Sequence, residues 1–328
     1  MHKIALIGAG RIGQIHAANV AAHPALQLAY VVDPVAEAAE KLAQRYGATS
    51  APLETALDDA SVAGVVIASS TDTHLDFSLR AARGGKIVFC EKPIDLDLAR
   101  VQAAAPDFAG VGARLFLGFN RRFDPHFRAL KAKLDAGAVG KLETLQITSH
   151  DPAPPPASYV ALSGGLFKDM TIHDFDMARW LLGEEPNEVF AAGACVIDPE
   201  IGRLGDIDTA KIVLRTTSGK LCVISNSRRS GYGYDQRIEA FGSEGALRAG
   251  NVRQSSVEVW AEAGAQSDAL QNFFLDRYAA AYRAEMAHFA DMIANGAAAE
   301  IGYADGVAAL ALATAAQKSH ETGAPVIL

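Results

Sequence analysis

Little in this chain points to disulfides, membranes or nucleic acid. Its three cysteines, Cys90, Cys195 and Cys222, lie far apart, with no C-x-x-C pair and no metal-ligand spacing. That argues against a disulfide scaffold or a metal site and fits free thiols in a reducing compartment. A basic excess is also missing: 30 Lys and Arg stand against 38 Asp and Glu, for a net charge of −8. The basic residues are dispersed, whereas nucleic-acid binders carry basic stripes. The most apolar late stretch, 307–316, is Ala-rich and too short to span a bilayer. A strand pattern begins by residue 3, which leaves no room for a signal peptide. The expectation is a cytoplasmic protein with no metal, no membrane and no nucleic-acid partner.

What is present is an ordinary globular composition, half hydrophobic and 21% charged. At 328 residues the length suggests two domains. The N-terminus carries the clearest signal, Gly8-x-Gly10-x-x-Gly13. An apolar run at 3–7 precedes it and a helical pattern from 14 follows. Strand, glycines and helix in that order form a dinucleotide fingerprint. The first Gly permits the turn, the second lets backbone approach a pyrophosphate, and the third lets helix pack on strand. A second strand, 28–32, ends at Asp33, 20 residues after Gly13. A carboxylate there accepts from the adenosine ribose hydroxyls and repels a 2′-phosphate. Pro34 follows it, with no Arg, so the cofactor expected is NAD. The plainer alternative is a tight turn with Asp33 as a helix cap.

Strand and helix patterns continue to alternate. Helices are expected at 34–46, 73–82 and 97–105, and strands at 63–68, 86–90 and 113–119. That alternation predicts a doubly wound parallel sheet, a Rossmann domain over residues 1–120. Past 120 the pattern changes. Helices at 125–135 and 165–182 flank a strand at 142–149 and a proline run at 152–156, read as a rigid connector. Strand-like runs follow at 188–197, 209–214, 220–225, 237–241 and 256–260 without helices between them. Helices at 274–295 and 303–321 close the chain. The fold class is therefore α/β, with an α+β second domain, 121–328, on a mainly antiparallel open sheet.

Several residues carry chemistry. Glu91-Lys92-Pro93 follows a strand end, where doubly wound sheets bind ligands. Lys92 is either a proton-transfer group beside the cofactor or a solvated lysine. Asp169, His173 and Asp176 fall on one face of an ordinary helix, since residues four apart lie about 40° apart. Either Asp169 orients His173 towards a pocket, or these are ordinary helix pairs such as Asp176 with Arg179. Tyr232 and Tyr234 could line a polyol pocket or serve as loop residues. Arg122 lies at the domain junction, as a cleft residue or a salt-bridge element. The turn 69–74 offers hydroxyls near the cofactor, or a helix cap from Thr71 or Thr73.

Taken together and in order, these motifs resemble the glucose–fructose oxidoreductase / inositol dehydrogenase / rhizopine-catabolism (Gfo/Idh/MocA) family. They are the glycine fingerprint, Thr71-x-Thr73-His74, Glu91-Lys92-Pro93, 118–124 and Asp169-x-x-x-His173. Residues 164–180 and 232–235 are most similar to its bacterial inositol 2-dehydrogenases. The resemblance implies NAD-dependent oxidation of myo-inositol at its axial hydroxyl to 2-keto-myo-inositol. It implies Lys92, Asp169 and His173 as the catalytic group. Gly8, Gly10, Arg11, Ile12, Gly13, Asp33, Ser69, Thr71, His74, Glu91 and Lys92 would hold the cofactor. Arg122, His150, Asp176, Tyr232 and Tyr234 would join the catalytic group around the polyol. A homotetramer built through the second domain's sheet is also implied. The competing readings are a dehydrogenase of another sugar or cyclitol, an NAD-dependent glycosidase, and a non-catalytic cofactor sensor.

Overall fold

Short, continuous apolar runs build the first sheet. Its strands are β1 (His2–Ile7), β2 (Leu26–Val32), β3 (Thr49–Ser50), β4 (Val62–Ile67), β5 (Ile87–Glu91) and β6 (Leu115–Gly118). They lie in the order β3-β2-β1-β4-β5-β6, and every pair is parallel. Ile4, Ala5 and Leu6 in β1 and Val65, Val66 and Ile67 in β4 are all 0% exposed. Such strands are covered on both faces, which is why their sequence does not alternate. The strand order reverses between β1 and β4, so the carboxyl ends of β1, β4 and β5 sit side by side at the switch point.

A computed structural model describes residues 1–328, and the chain forms two units. The first comprises Met1–Phe123 and Ala281–Leu310; the second comprises Asp124–Ala280 and Ala311–Leu328. This departs from a single second domain over 121–328, because residues 281–310 return to the first unit. Packing explains the return. Phe289 is 0% exposed and meets Phe89 edge-on at 6.1 Å. A Cβ on Gly64 of β4 would lie 2.7 Å from both Phe289 and Ile293, so the glycine admits the helix. Leu117 N–H also donates to Ile301 O at 3.0 Å. A helical pattern in sequence does not say which sheet the helix covers.

The second unit holds a sheet in the order β12-β11-β7-β10-β9-β8-β15. Its strands are β7 (Leu142–His150), β8 (Pro186–Ala194), β9 (Thr209–Thr216), β10 (Leu221–Ser227), β11 (Asp235–Gly242), β12 (Gly245–Ala249) and β15 (Val326–Ile327). All neighbours are antiparallel except β7 and β10, which run parallel. Burial alternates strictly along β9: Ala210, Ile212 and Leu214 point inward, Lys211, Val213 and Arg215 outward. The run expected at 256–260 belongs elsewhere, in a separate hairpin of β13 (Glu258–Ala261) and β14 (Gly264–Ser267). Asp124 caps the helix Pro125–Asp135 through His126 N and Phe127 N, and buried Arg277 donates to the same carboxylate.

Two expected helices differ. The segment 165–182 opens with a π-helical turn, Phe167–Thr171, before the α-helix Ile172–Leu182. Asp169 is therefore on wider-wound backbone than ordinary helical spacing assumes. The helix expected over 274–295 breaks into Phe274–Arg277 and Ala279–Asn295. The short elements β3, Leu53–Asp58 and Ala157–Ser163 are too brief for periodicity to register. No helix is long and apolar enough to cross a membrane.

Candidate active site

The first unit gathers the expected cofactor residues at its switch point. Gly8 has φ +102°, and a Cβ there would meet Ala68 O at 2.4 Å. A Cβ on Gly13 would meet Gly8 O at 2.0 Å, so strand and helix touch backbone to backbone. Gly10 faces open space, with nothing within 4 Å of an added Cβ. It stands at the N-cap of Arg11–Ala22 without a side-chain cap, and the first turn holds no acid. Exposed Arg11 and half-buried Ile12 begin that helix. The three glycines thus have the three distinct environments that a pyrophosphate cradle requires, and the residues present fit NAD. Asp33 Oδ2 accepts from Ala9 N at 2.7 Å and Oδ1 from Val35 N at 2.8 Å. Each oxygen keeps acceptor capacity for a ribose hydroxyl.

The turn after β4 is ordered by its hydroxyls. Thr73 donates to Ser70 O at 2.7 Å, so the 2.7 Å contact with Ser69 has Ser69 as donor. Ser69 Oγ then retains a lone pair for a ligand. Thr73 occupies the N-cap position of His74–Arg83, yet its side chain caps nothing. Thr71 is half-buried in the 3₁₀ turn Thr71–Thr73. His74 is placed differently from expectation. It is 2% exposed, with Nδ1 2.7 Å from Pro93 O and Nε2 3.1 Å from Ser69 O. Both ring nitrogens are committed to backbone, so His74 does not contact a cofactor through them.

Glu91 likewise faces inward. Its Oε1 lies 2.7 Å from Nε2 of His16, whose side chain is 0% exposed, on the helix that follows the glycines. That pair ties the glycine helix to the strand that delivers Lys92. Glu285 is 0% exposed, and neither of its carboxyl oxygens has a hydrogen-bond partner. Burial, then the charge of Glu91, pushes its pKa well above the carboxylate range. Lys92 is half-buried directly after β5, and its peptide bond to Pro93 is cis. Arg122 is buried and donates to Asp305 at 2.9 Å within this unit.

In the second unit, β7 and β10 register the helix that carries His173. Thr171 donates to Asn226 Oδ1 at 2.6 Å, and Asn226 Nδ2 donates to Asp174 at 2.8 Å. Ser149 donates to the other oxygen of Asp174 at 2.6 Å. Asp174 and Asn226 are 0% exposed, so this network is fully desolvated and fixes the helix on the sheet. Half-buried His173 is thereby held one residue before a fixed point. Asp169 accepts from Tyr159 at 2.8 Å and from both terminal nitrogens of buried Arg228 at 3.1 and 3.2 Å. Asp176 is buried and stands 3.9 Å from Arg179, the ordinary helix pair.

His150 and Ser149 are sequence neighbours on β7 and so face opposite sides of the sheet. His150 belongs to an outward network. Lys211 donates to Ser225 Oγ, which lies 2.9 Å from His150 Nε2. Lysine can only donate, so Ser225 keeps its proton and one lone pair, and either end of its contact with His150 can donate. Burial, with Lys211 and Arg237 nearby, lowers the His150 pKa and keeps the ring neutral. Its Nδ1 faces Asp235 at 4.0 Å. Burial would raise the Asp235 pKa, but bonds from Arg237, Tyr232 and Asn251 lower it. Tyr232 is 59% exposed and donates to Asp235 at 2.6 Å. Tyr234 is 7% exposed, its ring edge-on to Tyr278 at 6.1 Å.

The expected site residues therefore form two sets. Lys92, Arg122 and the glycine loop belong to the first unit; His150, Asp169, His173, Asp176, Tyr232 and Tyr234 belong to the second. Sequence reasoning missed Arg228, Asp174, Asn226, His16 and Glu285. Arg228 had one visible signal, an Arg-Arg pair immediately after a strand end.

Comparison with known proteins agrees with both halves. The family described as an oxidoreductase family with an NAD-binding Rossmann fold matches residues 2–119. The Gfo/Idh/MocA C-terminal domain matches residues 127–248. The chain is 48% identical to inositol 2-dehydrogenase of Rhizobium meliloti over 97% of its own length and 96% of that protein. The crystal structure of a myo-inositol dehydrogenase from Corynebacterium glutamicum superposes with a TM-score of 0.95 at 46% identity, covering 99% of this chain and 98% of that one. A scyllo-inositol dehydrogenase from Lactobacillus casei, solved with NAD(H) and scyllo-inositol, gives 0.92 at 30% identity over 100% and 99%.

Proposed function

Because the chain belongs to the Gfo/Idh/MocA oxidoreductase family, we propose that it oxidises myo-inositol at its axial hydroxyl to 2-keto-myo-inositol and reduces NAD. The observation that carries this reading is near-full-length identity to inositol 2-dehydrogenases, joined to a glycine cradle and Asp33 suited to NAD. Bound NAD supplies the hydride acceptor. His173 accepts the hydroxyl proton, with Lys92 sharing it, and both stabilise the developing alkoxide. Asp169 orients and polarises His173, its own oxygens fixed by Tyr159 and Arg228. Arg122, His150, Asp176, Tyr232 and Tyr234 orient the polyol. The C–H bond breaks with its electron pair leaving as hydride, the O–H proton goes to the base, and a ketone remains.

The test is steady-state NAD reduction with myo-inositol beside scyllo-inositol, D-chiro-inositol and D-glucose. The expected result is the highest kcat/KM for myo-inositol. Lys92→Ala and His173→Ala should each lower kcat roughly 10²–10⁴-fold. Preference for D-glucose, or turnover without net NADH, would replace this reading with another sugar dehydrogenase or a glycosidase.

Assembly into a homo-oligomer, a tetramer by family resemblance, is part of the same proposal. Its support is the outward face of the second unit's sheet. Phe190 pairs with Val213 and Val213 with Val223, and these side chains are 37–40% exposed in a row. Arg215, Glu188, Lys211 and Glu239 rim that row, as an interface with an apolar centre requires. Three free thiols support a cytoplasmic location.

A further inference from the structure

We infer that His74 is a charged imidazolium clamp, a positioning residue that ties the Ser69 turn to the Lys92–Pro93 segment. The inference rests on the assignment of Lys92 to proton transfer. Its geometry is independent of that assignment.

Both ring nitrogens face main-chain carbonyls: Nδ1 lies 2.7 Å from Pro93 O and Nε2 lies 3.1 Å from Ser69 O. A carbonyl oxygen has no hydrogen to donate. A neutral imidazole has one N–H, so its other nitrogen would set a lone pair against a carbonyl lone pair. At 2% exposure, water does not relieve that repulsion. Only the doubly protonated ring satisfies both contacts. Burial opposes the charge, while the Cys90 sulfur and the two carbonyls favour it. The balance moves the pKa up to about 9.

The nearest carboxylates in sequence, Asp76 on the same helix and buried Asp95 beyond Pro93, are both paired with Arg100. From β5, Cys90 acts on it, whereas Glu91 turns to His16. β4 contains no titratable residue, and Asp72 in the Thr71–Thr73 turn is exposed. The Cys90 sulfur, then the Pro93 and Ser69 carbonyls, favour the charge. Sheet pairing between β4 and β5 ends at Ile67 with Cys90. His74 continues the link past that point, from Ser69 across to Pro93. Lys92 is the residue between the end of β5 and the clamped carbonyl, so the clamp limits where its backbone can sit. A misplacement near 1 Å costs on the order of 10²-fold in rate.

The test uses the full chain labelled with ¹³C,¹⁵N-histidine, with the His74 signals identified by their loss in His74→Gln. Both ring nitrogens should read as protonated near neutral pH, and the ring should titrate at about 9. A single-tautomer neutral ring near neutral pH overturns the inference; should the variant not fold, backbone-linked assignment in the wild type identifies the ring. In kinetics, Gln can donate to one carbonyl but not span both. His74→Gln should lower kcat roughly 10–100-fold, with little change in the KM for NAD. It should also lose the decline in kcat that the wild type shows as His74 deprotonates. If Lys92→Ala is inactive while His74→Gln keeps the wild-type kcat, the positioning role is refuted. If both variants keep the wild-type kcat, the role of Lys92 fails instead, and the positioning role falls with it.

Discussion

Asp33 offers the sharpest quantitative test of cofactor choice. Its two oxygens are pinned by Ala9 N and Val35 N at 2.7 and 2.8 Å, so the charge occupies one place beside the glycine loop. A 2′-phosphate set where the ribose hydroxyl binds would bring like charges about 4 Å apart. That costs roughly 1 kcal/mol in bulk water and about 4 kcal/mol near a protein surface. NAD gains in addition a hydrogen bond to a charged acceptor, worth about 1.5–3 kcal/mol. Asp33→Asn removes the charge behind both effects and turns an amide nitrogen towards one of the two backbone N–H groups. The ratio of kcat/KM for NAD over NADP should fall by at least roughly 10²-fold, at about 1.4 kcal/mol per tenfold. Asp33→Ala should weaken NAD further, because Ala9 N loses its acceptor and the loop loosens, by about 1 kcal/mol. The assay is the initial rate of NADH and NADPH formation with myo-inositol. An unchanged NAD:NADP ratio in both variants would refute the role given to Asp33.

Three further outcomes follow from the same geometry. Glu285 has a folded pKa raised above its unfolded value, so its contribution to stability is whole below about pH 4.3 and is lost as pH rises towards the folded pKa. Glu285→Gln does not titrate, so its Tm should gain on the wild type as pH rises across that window; a widening deficit instead would contradict a protonated Glu285. Arg228→Met strips Asp169 Oδ2 of both its guanidinium donors and should cost about 3–5 kcal/mol in urea unfolding, the price of breaking a buried pair. A loss below about 1 kcal/mol would place that pair with surface ion pairs. Val213→Glu combined with Val223→Glu sets like charges directly opposite each other on the outward sheet face. Light scattering should then report a smaller assembly than the wild type; an unchanged mass would show that this face is not an interface.

The first unit was legible because its signals are local. Continuous apolar runs, glycines at fixed offsets and an acidic residue at a strand end all lie within short windows. Consecutive strand-like runs without helices between them likewise announced a mainly antiparallel sheet. Long-range partners left no such trace. Arg228 meets Asp169 across 59 residues, and Asn226 meets Asp174 across 52. Nothing periodic links those positions. The π turn at Phe167–Thr171 was equally hidden, since a one-residue change in winding leaves the apolar pattern almost intact. The family resemblance implies His74 as a cofactor contact. Its burial between two carbonyls depends on where Pro93 sits, which no local pattern encodes.

The proposed reaction requires Lys92 and His173 to meet one hydroxyl. A crystal structure with NADH and myo-inositol bound tests this most directly. The prediction is Lys92 Nζ and a His173 ring nitrogen each within about 2.6–3.2 Å of the same inositol oxygen, beside the nicotinamide ring. Either side chain directed away from that oxygen would contradict it.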